Sequence, residues 1–189
     1  MNDTQDPDVV DVLTSDHGEV TELIGQIRAT DDPDRRRDLA DTVISEIVRH
    51  AVAEEMYVYP AMRDHLADGD EAVEHDIAEH KQIEQTMKQL EGVDATDPRF
   101  DELVRELAEK LAHHVADEET EQFPQLRANI PREKLVSLAG KVQLAKKVAP
   151  TRPHPAAPNS ELFHKLVGPG VGLVDRLRDK LSGRTTNAG

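Results

Sequence analysis

The chain has no cysteine and no tryptophan, and aromatic residues make up only 3% of its 189 residues. The absence of cysteine excludes iron–sulfur clusters, thiolate zinc sites, a cysteine nucleophile and disulfide bonds. No apolar run approaches the roughly 18 residues of a membrane span, and the N-terminal segment lacks the basic start and apolar stretch of a signal peptide. We therefore expect an aliphatic core and a soluble, cytoplasmic protein.

Charge is distributed unevenly along the sequence, which has a net charge of −15. Residues 1–130 contain 12 lysines and arginines against 34 aspartates and glutamates, whereas residues 131–189 contain 11 against 4. Because an acidic body repels phosphates, nucleic acid is not expected as a partner. The basic tail is expected to pack against the acidic body or against another subunit, and the oligomeric state is left open.

The spacing of apolar residues predicts helices throughout and no strand. Predicted helices span about 8–29, 33–68, 70–91 and 98–129. Asp32-Pro33 and Asp97-Pro98 are typical helix starts, with an aspartate N-cap followed by proline at the first helical position. Short connections between four long helices predict an all-α fold, an up-down-up-down four-helix bundle over residues 1–130.

A basic C-terminal extension is predicted for residues 131–189. Its expected parts are a helix over 131–148, a proline-rich linker over 149–160 and short helices over 160–182. The linker contains four prolines, which favour an extended backbone.

One sequence unit occurs twice, and it is the strongest functional signal in the chain. In each copy a histidine is followed 33 or 34 residues later by His-x-x-x-Glu, and then by an aromatic-proline pair. The first copy comprises Asp16-His17, His50, Glu54 and Tyr59-Pro60, and the second comprises Glu79-His80, His114, Glu118 and Phe123-Pro124.

The histidines and glutamates of the two copies occupy helix positions where the apolar pattern calls for leucine or valine. Burying a carboxylate in an apolar core without compensation costs several kcal/mol. A pair of divalent metal ions removes this cost, because metal binding keeps carboxylates ionised and imidazoles neutral. Imidazole and carboxylate together suit iron, manganese, zinc or cobalt. The predicted metal ligands are His17, His50, Glu54, His80, His114 and Glu118.

A third His-x-x-x-Glu, at His75 and Glu79, lies off the apolar stripe of its predicted helix. We interpret it as a chance match, since glutamate is frequent in this sequence.

The order of these motifs resembles the hemerythrin HHE cation-binding family over about residues 8–128. The resemblance implies a non-haem di-iron four-helix bundle. It also implies two irons bridged by Glu54 and Glu118 and by an oxo or hydroxo group, with the four histidines as terminal ligands. The residues themselves leave a zinc or manganese pair as an alternative.

Two departures from the oxygen-carrying hemerythrins bear on function. Those proteins have a further histidine four residues before the third-helix ligand, where this chain has Asp76, and an aspartate one residue beyond the position of Glu118. The resemblance then implies an open position on each metal. Asp76, Tyr57 and Glu121 are the candidates to fill it, because the helical stripe places them within reach.

These departures favour reaction with peroxide, dioxygen or nitric oxide, as in a peroxidase or catalase-like oxidoreductase. Two alternatives stay open: a module that binds or senses oxygen, nitric oxide or iron without turnover, and a metal-buffering or structural bundle. For Tyr57, the roles considered are metal ligand, hydrogen-bond donor, electron donor, or a packed tyrosine bonded to a neighbouring carboxylate.

Overall fold

The computed structural model describes residues 6–153 and Asp179, and these residues are helical with no β-strand among them. The elements are α1 Val9–Ala29, α2 Pro33–Ala53, the π-helical segment π1 Glu54–Val58, α3 Tyr59–His65, α4 Gly69–Glu91, α5 Pro98–Asp117, the π-helical segment π2 Glu118–Gln122, α6 Phe123–Asn129 and α7 Arg132–Val148. The predicted all-α class is confirmed. No helix within 6–153 is both long enough and apolar enough to cross a bilayer.

Four rods form the bundle: α1, the continuous α2–π1–α3, α4, and the continuous α5–π2–α6. Contacts run from α1 to α2, from α2 to α4, from α4 to α5 and from α5 back to α1, so the rods enclose a common core. That core is mainly aliphatic, as the composition predicts, and its fully buried members include Leu13, Ile44, Leu90, Phe100 and Leu107.

Both predicted helix starts are confirmed by their capping hydrogen bonds. The Asp32 side chain accepts from the backbone N–H groups of Asp34 and Arg35, at 3.0 and 3.4 Å. Asp97 accepts from the N–H of Arg99 at 2.8 Å. Proline follows each cap, where its missing N–H leaves no helical hydrogen bond unmade.

The two π-helical segments interrupt the second and fourth rods at equivalent places. Each begins at the glutamate of a His-x-x-x-Glu motif, and the N–H of Tyr59 or Phe123 donates to the glutamate carbonyl five residues back. Proline comes next in both rods. It has no N–H to donate, and its ring crowds the carbonyl four residues earlier, so the helix widens locally. The extra residue in the turn shifts the face of the rod on which later side chains lie.

The basic helix predicted after residue 130 is present as α7, which packs on α1 and α2. Lys146 contributes to this packing, with its Nζ 2.6 Å from Oδ1 of Asp16. Residues 149–153 follow without helical structure. The rest of the predicted linker and the predicted short helices lie outside the described residues, apart from Asp179.

Candidate metal centre

All six predicted ligands lie together in the interior of the bundle. His17 comes from α1, His50 from α2, His80 from α4 and His114 from α5, while the glutamates are the first residues of the two π-helical segments. The exposed fraction of each histidine is 7% or less, and Glu54 and Glu118 are 0% and 1% exposed.

The four histidines form two pairs. Nε2 of His17 lies 3.3 Å from Nε2 of His50, and Nε2 of His80 lies 3.0 Å from Nε2 of His114. Two ligand atoms bonded to one ion at about 2.1 Å, with an angle of about 90–110°, lie roughly 3.0–3.4 Å apart. The spacing within each pair is therefore that of two ligands of a common ion.

The two glutamates lie between the histidine pairs. Glu118 has Oε2 3.2 Å from Nε2 of His17 and Oε1 3.5 Å from Nε2 of His114. Oε2 of Glu54 lies 3.2 Å from Nε2 of His50 and 3.5 Å from Nε2 of His80. Each carboxylate thus contacts one histidine of each pair, which is the position of a bridging ligand.

Hydrogen bonds from the described residues do not satisfy all the oxygens of these two carboxylates. Both side-chain oxygens of Glu54 and Oε2 of Glu118 are buried and accept no hydrogen bond of normal geometry. A buried carboxylate without compensation costs several kcal/mol. Two divalent cations between the histidine pairs would provide that compensation, so the donor set fits a dinuclear metal centre.

Each histidine also contacts a carboxylate through its other ring nitrogen. The Nδ1–oxygen distances are 2.8 Å for His17–Glu119, 3.1 Å for His50–Asp16, 3.3 Å for His80–Glu55 and 2.9 Å for His114–Glu79. An ionised carboxylate only accepts hydrogen bonds, so in the neutral imidazole Nδ1 carries the proton and the lone pair of Nε2 points into the site. This is the usual outer arrangement around metal-binding histidines.

These four carboxylates were assigned no role from the sequence, although a signal was present. Asp16 and Glu79 immediately precede a ligand histidine, and Glu55 and Glu119 immediately follow a ligand glutamate. In every case the carboxylate contacts the histidine of the next rod, not one on its own helix. Sequence spacing does not show this, because it depends on how the rods are arranged.

The electrostatics of the site reflect its carboxylates. Burial lowers the pKa of His50, but Glu54 and Asp16 outweigh burial and raise it to about 10. The pKa of His114 is likewise lowered by burial and raised more strongly by Glu118 and Glu79, to about 9. Burial raises the pKa of Glu118, yet the neighbouring His114 and His17 hold it at about 2. The site therefore favours positive charge, whether protons or metal ions.

Tyr59 contacts one of the predicted ligands. Its hydroxyl lies 3.2 Å from Nε2 and 3.3 Å from Nδ1 of His80. Burial and the Glu54 carboxylate raise the pKa of Tyr59 well above its usual range, so the phenol stays neutral. Phe123 occupies the equivalent place in the other half, where its ring stacks on His17 at 5.8 Å.

Tyr57 lines a separate cavity that faces α7, together with Pro60 and Leu138. The expectation for Tyr57 assumed a straight α-helix beyond Glu54. The widened turn of π1 instead presents the residue five positions after the glutamate to the site, and that residue is Tyr59.

The same shift corrects the expectation for Glu121, which is exposed, whereas Gln122 is buried. Gln122 donates from Nε2 to Oδ1 of Asp76 at 2.9 Å. Asp76 is fully buried, its Oδ2 accepts no hydrogen bond, and one of its oxygens lies within 4.8 Å of ligand atoms of Glu79 and His114. Burial raises the pKa of Asp76 to about 6. Asp76 thus lies beside the candidate centre.

A cavity of about 590 Å³ lies against all four histidines. Its walls are mainly aliphatic, with Ile24, Ile47, Ile83 and Leu111 among them. Its exposed lining residues come from α1 and α5, so it opens to solvent between these helices. The candidate centre is therefore reached from outside through a largely apolar passage.

A four-helix bundle with two histidine pairs sharing two buried carboxylates defines a class, the cation-binding helical bundles. The family model "Hemerythrin HHE cation binding domain" matches residues 8–126, and the chain belongs to this family. The resemblance inferred from the motif order is thereby confirmed.

Individual relatives agree with this assignment. An uncharacterised hemerythrin-like protein of Schizosaccharomyces pombe is 29% identical over 174 residues, which cover 92% of this chain and 86% of the relative. A DNA nickase of Nostoc sp. is 28% identical over 145 residues, but these cover 77% of this chain and only 41% of that protein. The crystal structure of a hemerythrin HHE cation-binding domain-containing protein from Mycobacterium kansasii, 20% identical, covers 75% of this chain and 86% of its own with a TM-score of 0.64, which supports the fold.

Proposed function

We propose that this chain is a non-haem di-iron protein that reacts with peroxide, dioxygen or nitric oxide. The irons are held by His17, His50, Glu54, His80, His114 and Glu118. The proposal rests on the position of two buried carboxylates between two pairs of imidazoles. Three of the four carboxylate oxygens accept no hydrogen bond from the described residues. Such mixed nitrogen and oxygen donors suit iron, and a zinc or manganese pair is the alternative outcome of metal analysis.

When bound, an iron pair supplies Lewis acidity and exchangeable electrons. The protein orients the donors, because a carboxylate at every Nδ1 fixes the tautomer of each imidazole and increases its basicity. The neutral phenol of Tyr59, next to His80, can donate a hydrogen bond to a molecule that enters the centre. Asp76, with one oxygen that accepts no hydrogen bond, is an additional candidate ligand or proton acceptor on the same side as His114.

The cavity supports reaction with small neutral molecules. Hydrogen peroxide, dioxygen and nitric oxide carry no charge, so they enter a mainly aliphatic passage without the desolvation cost that an ion would meet. The passage ends at the four histidines. We do not extend DNA nicking to this chain, because its acidic residues 1–130 disfavour contact with phosphates.

A sensing function is the second candidate, and one contact favours it. Lys146 of α7 binds Asp16, which in turn contacts His50. A change in ligation at His50 is therefore linked directly to the C-terminal extension. A difference in tail proteolysis between protein with and without nitric oxide, in the absence of turnover, would favour sensing over catalysis.

Metal analysis and reactivity test the main proposal. We expect two irons per chain in protein purified from iron-supplied cells, near-ultraviolet absorption typical of a ferric pair, and steady-state consumption of peroxide or nitric oxide. Glu54→Ala and His114→Ala should each lower iron content and thermal stability together, because metal binding is coupled to folding. His65→Ala is the control, since His65 is not a proposed ligand and bonds the Ala61 carbonyl of its own helix. Full iron occupancy in both ligand variants would refute the assignment.

A further inference from the structure

A second cluster of histidines and carboxylates lies on the surface where α4 meets α5. It consists of one atom from each of four residues: Nε2 of His75, Oε1 of Glu79, Nδ1 of His113 and Oδ2 of Asp117. None of the four is among the six proposed ligands of the buried centre, although Glu79 contacts one of them.

The cluster forms a closed ring in which histidine and carboxylate alternate. His75 lies 3.5 Å from both Glu79 and Asp117. His113 lies 3.0 Å from Glu79 and 3.5 Å from Asp117. A ligand atom of each of His75, Glu79 and Asp117 lies within 4.8 Å of the other two, and Nδ1 of His113 contacts the same two carboxylates. The four contact distances, one of 3.0 Å and three of 3.5 Å, are close to the roughly 3.0–3.4 Å expected between neighbouring ligands of a single ion bound at about 2.1 Å.

Helix geometry explains why these side chains meet. His75 and Glu79 are four residues apart on α4, and His113 and Asp117 are four residues apart on α5, so each pair projects from one face of its helix. The interpretation of His75-x-x-x-Glu79 as a chance match is thus revised. Its partner is His113-x-x-x-Asp117, which a search for His-x-x-x-Glu does not find.

Glu79 connects this cluster with the buried centre. Its Oε1 takes part in the cluster, while its Oε2 lies 2.9 Å from Nδ1 of His114. The side chains of His75 and His113 are 53% and 64% exposed, compared with 3% for the side chain of His114. The cluster is therefore open to solvent, yet it shares one carboxylate with a proposed ligand of the interior.

We propose that His75, Glu79, His113 and Asp117 form a separate, exchangeable binding site for one divalent transition-metal cation. Two imidazoles and two carboxylates are borderline donors, so ferrous iron and zinc are the expected ions. We further propose that this site is where cations from solution first bind on their way to the buried centre. That second part rests on the proposed di-iron function, whereas the first part does not.

Zinc binding by the full-length purified protein tests the surface site. We expect wild-type protein to bind one equivalent of zinc in equilibrium dialysis beyond the metal that it already holds. A His75→Ala/His113→Ala double variant should lose this equivalent while its tightly bound metal and melting temperature stay the same. The His65→Ala variant, which also removes a partly exposed histidine, should keep it. Absence of an additional equivalent in the wild type, or its retention in the double variant, would overturn the proposal.

Exchange of isotopically labelled ferrous iron into the purified protein tests the loading role. The double variant should take up label more slowly than wild type but reach the same final iron content, and equal rates would overturn the role. Failure of the surface-site proposal can be distinguished from failure of the proposed di-iron function. If the purified protein contained no interior metal, the di-iron function would fail, while a zinc equivalent missing only from the double variant would still support the surface site.

Discussion

Asp16 is held from two sides, by Lys146 of the C-terminal helix at 2.6 Å and by Nδ1 of His50 at 3.1 Å. Burial raises the pKa of Asp16, but His50 and Lys146 together outweigh burial and keep it lowered. The equivalent carboxylate of the second half, Glu79, faces histidines instead of a lysine. Among the described residues, the extension therefore contacts the candidate centre through Asp16, a carboxylate of its first half.

Replacing Lys146 with methionine should weaken one of the two metal positions. Asp16 would then be less firmly oriented, and His50 would be a poorer ligand. Outer contacts of this kind are worth roughly 10-fold or more in metal affinity. Metal release to a chelator should change from one phase to two, with the faster phase accounting for half of the metal. Lys147→Met, one residue on and exposed, is the matched control. A single unchanged phase in both variants would refute this link.

Tyr59→Phe should leave iron content unchanged but slow the reaction with peroxide. The change removes the only side-chain hydroxyl that contacts His80 among the described hydrogen bonds, and it mimics Phe123 of the other half. A hydrogen-bond or proton donor in this position contributes roughly 100-fold or more. Tyr57→Phe should have little effect on the rate. The reverse ranking of the two variants would show that the site uses Tyr57 after all.

Gly25→Leu should narrow the passage to the histidines. A Cβ at Gly25 would meet no atom within 4 Å, so the helix accommodates a side chain at its base, and Gly25 lines the cavity. Gly18→Leu is the matched control, because it adds the same side chain to the same helix, equally without contact within 4 Å, outside the cavity lining. Both changes should stabilise α1, by up to about 1 kcal/mol.

The reaction rates with nitric oxide and peroxide distinguish the two glycine variants. The second-order rate constants should fall in Gly25→Leu and remain at the wild-type value in Gly18→Leu. Equal rates in the two variants would mean that small molecules reach the centre by another path.

Removal of metal should make stability depend on pH in a defined direction. The folded-state pKa values of His50 and His114, about 10 and about 9, lie above the ordinary value of 6.5. Folding therefore favours their protonated forms. Their contribution to stability is complete below about pH 6.5 and is lost as the pH rises through about 9 to 10. The pKa of Glu118 is lowered from its ordinary value of 4.5 to about 2. Glu118 therefore contributes to stability above about pH 4.5, and this contribution is lost as the pH falls through about 2.

Urea denaturation of chelator-treated protein at several pH values measures this effect. The midpoint should fall between about pH 7 and pH 10, and it should fall less in metal-loaded protein, because bound metal keeps the imidazoles neutral. A midpoint of the metal-free protein that rises over this interval would contradict the assigned protonation states.

Much of this structure follows from local sequence rules. Helix starts at Asp32 and Asp97 are visible because capping depends on neighbouring residues alone. His50 and Glu54 can be assigned to the interior because they interrupt an apolar stripe whose period is fixed by the α-helix. The position of these residues in a common site then requires only that four such stripes face one another.

The features that sequence reasoning missed depend on departures from that period or on pairing between helices. The tyrosine-proline and phenylalanine-proline pairs mark the π-helical turns, but a straight-helix projection selects Tyr57 and Glu121 in place of Tyr59 and Gln122. Contacts such as Asp16 with His50 join residues 34 positions apart. They depend on the rotation of one rod against the next, which no spacing within a single helix specifies.

The contacts between carboxylates and Nδ1 atoms pass around the bundle in one direction. Asp16 of α1 contacts the second rod, Glu55 of the second rod contacts α4, Glu79 of α4 contacts the fourth rod, and Glu119 of the fourth rod contacts α1 again. Each rod therefore makes one such contact with each of its two neighbours, so rotation of a rod about its axis would strain two contacts at once. These contacts orient the interior imidazoles before a cation binds.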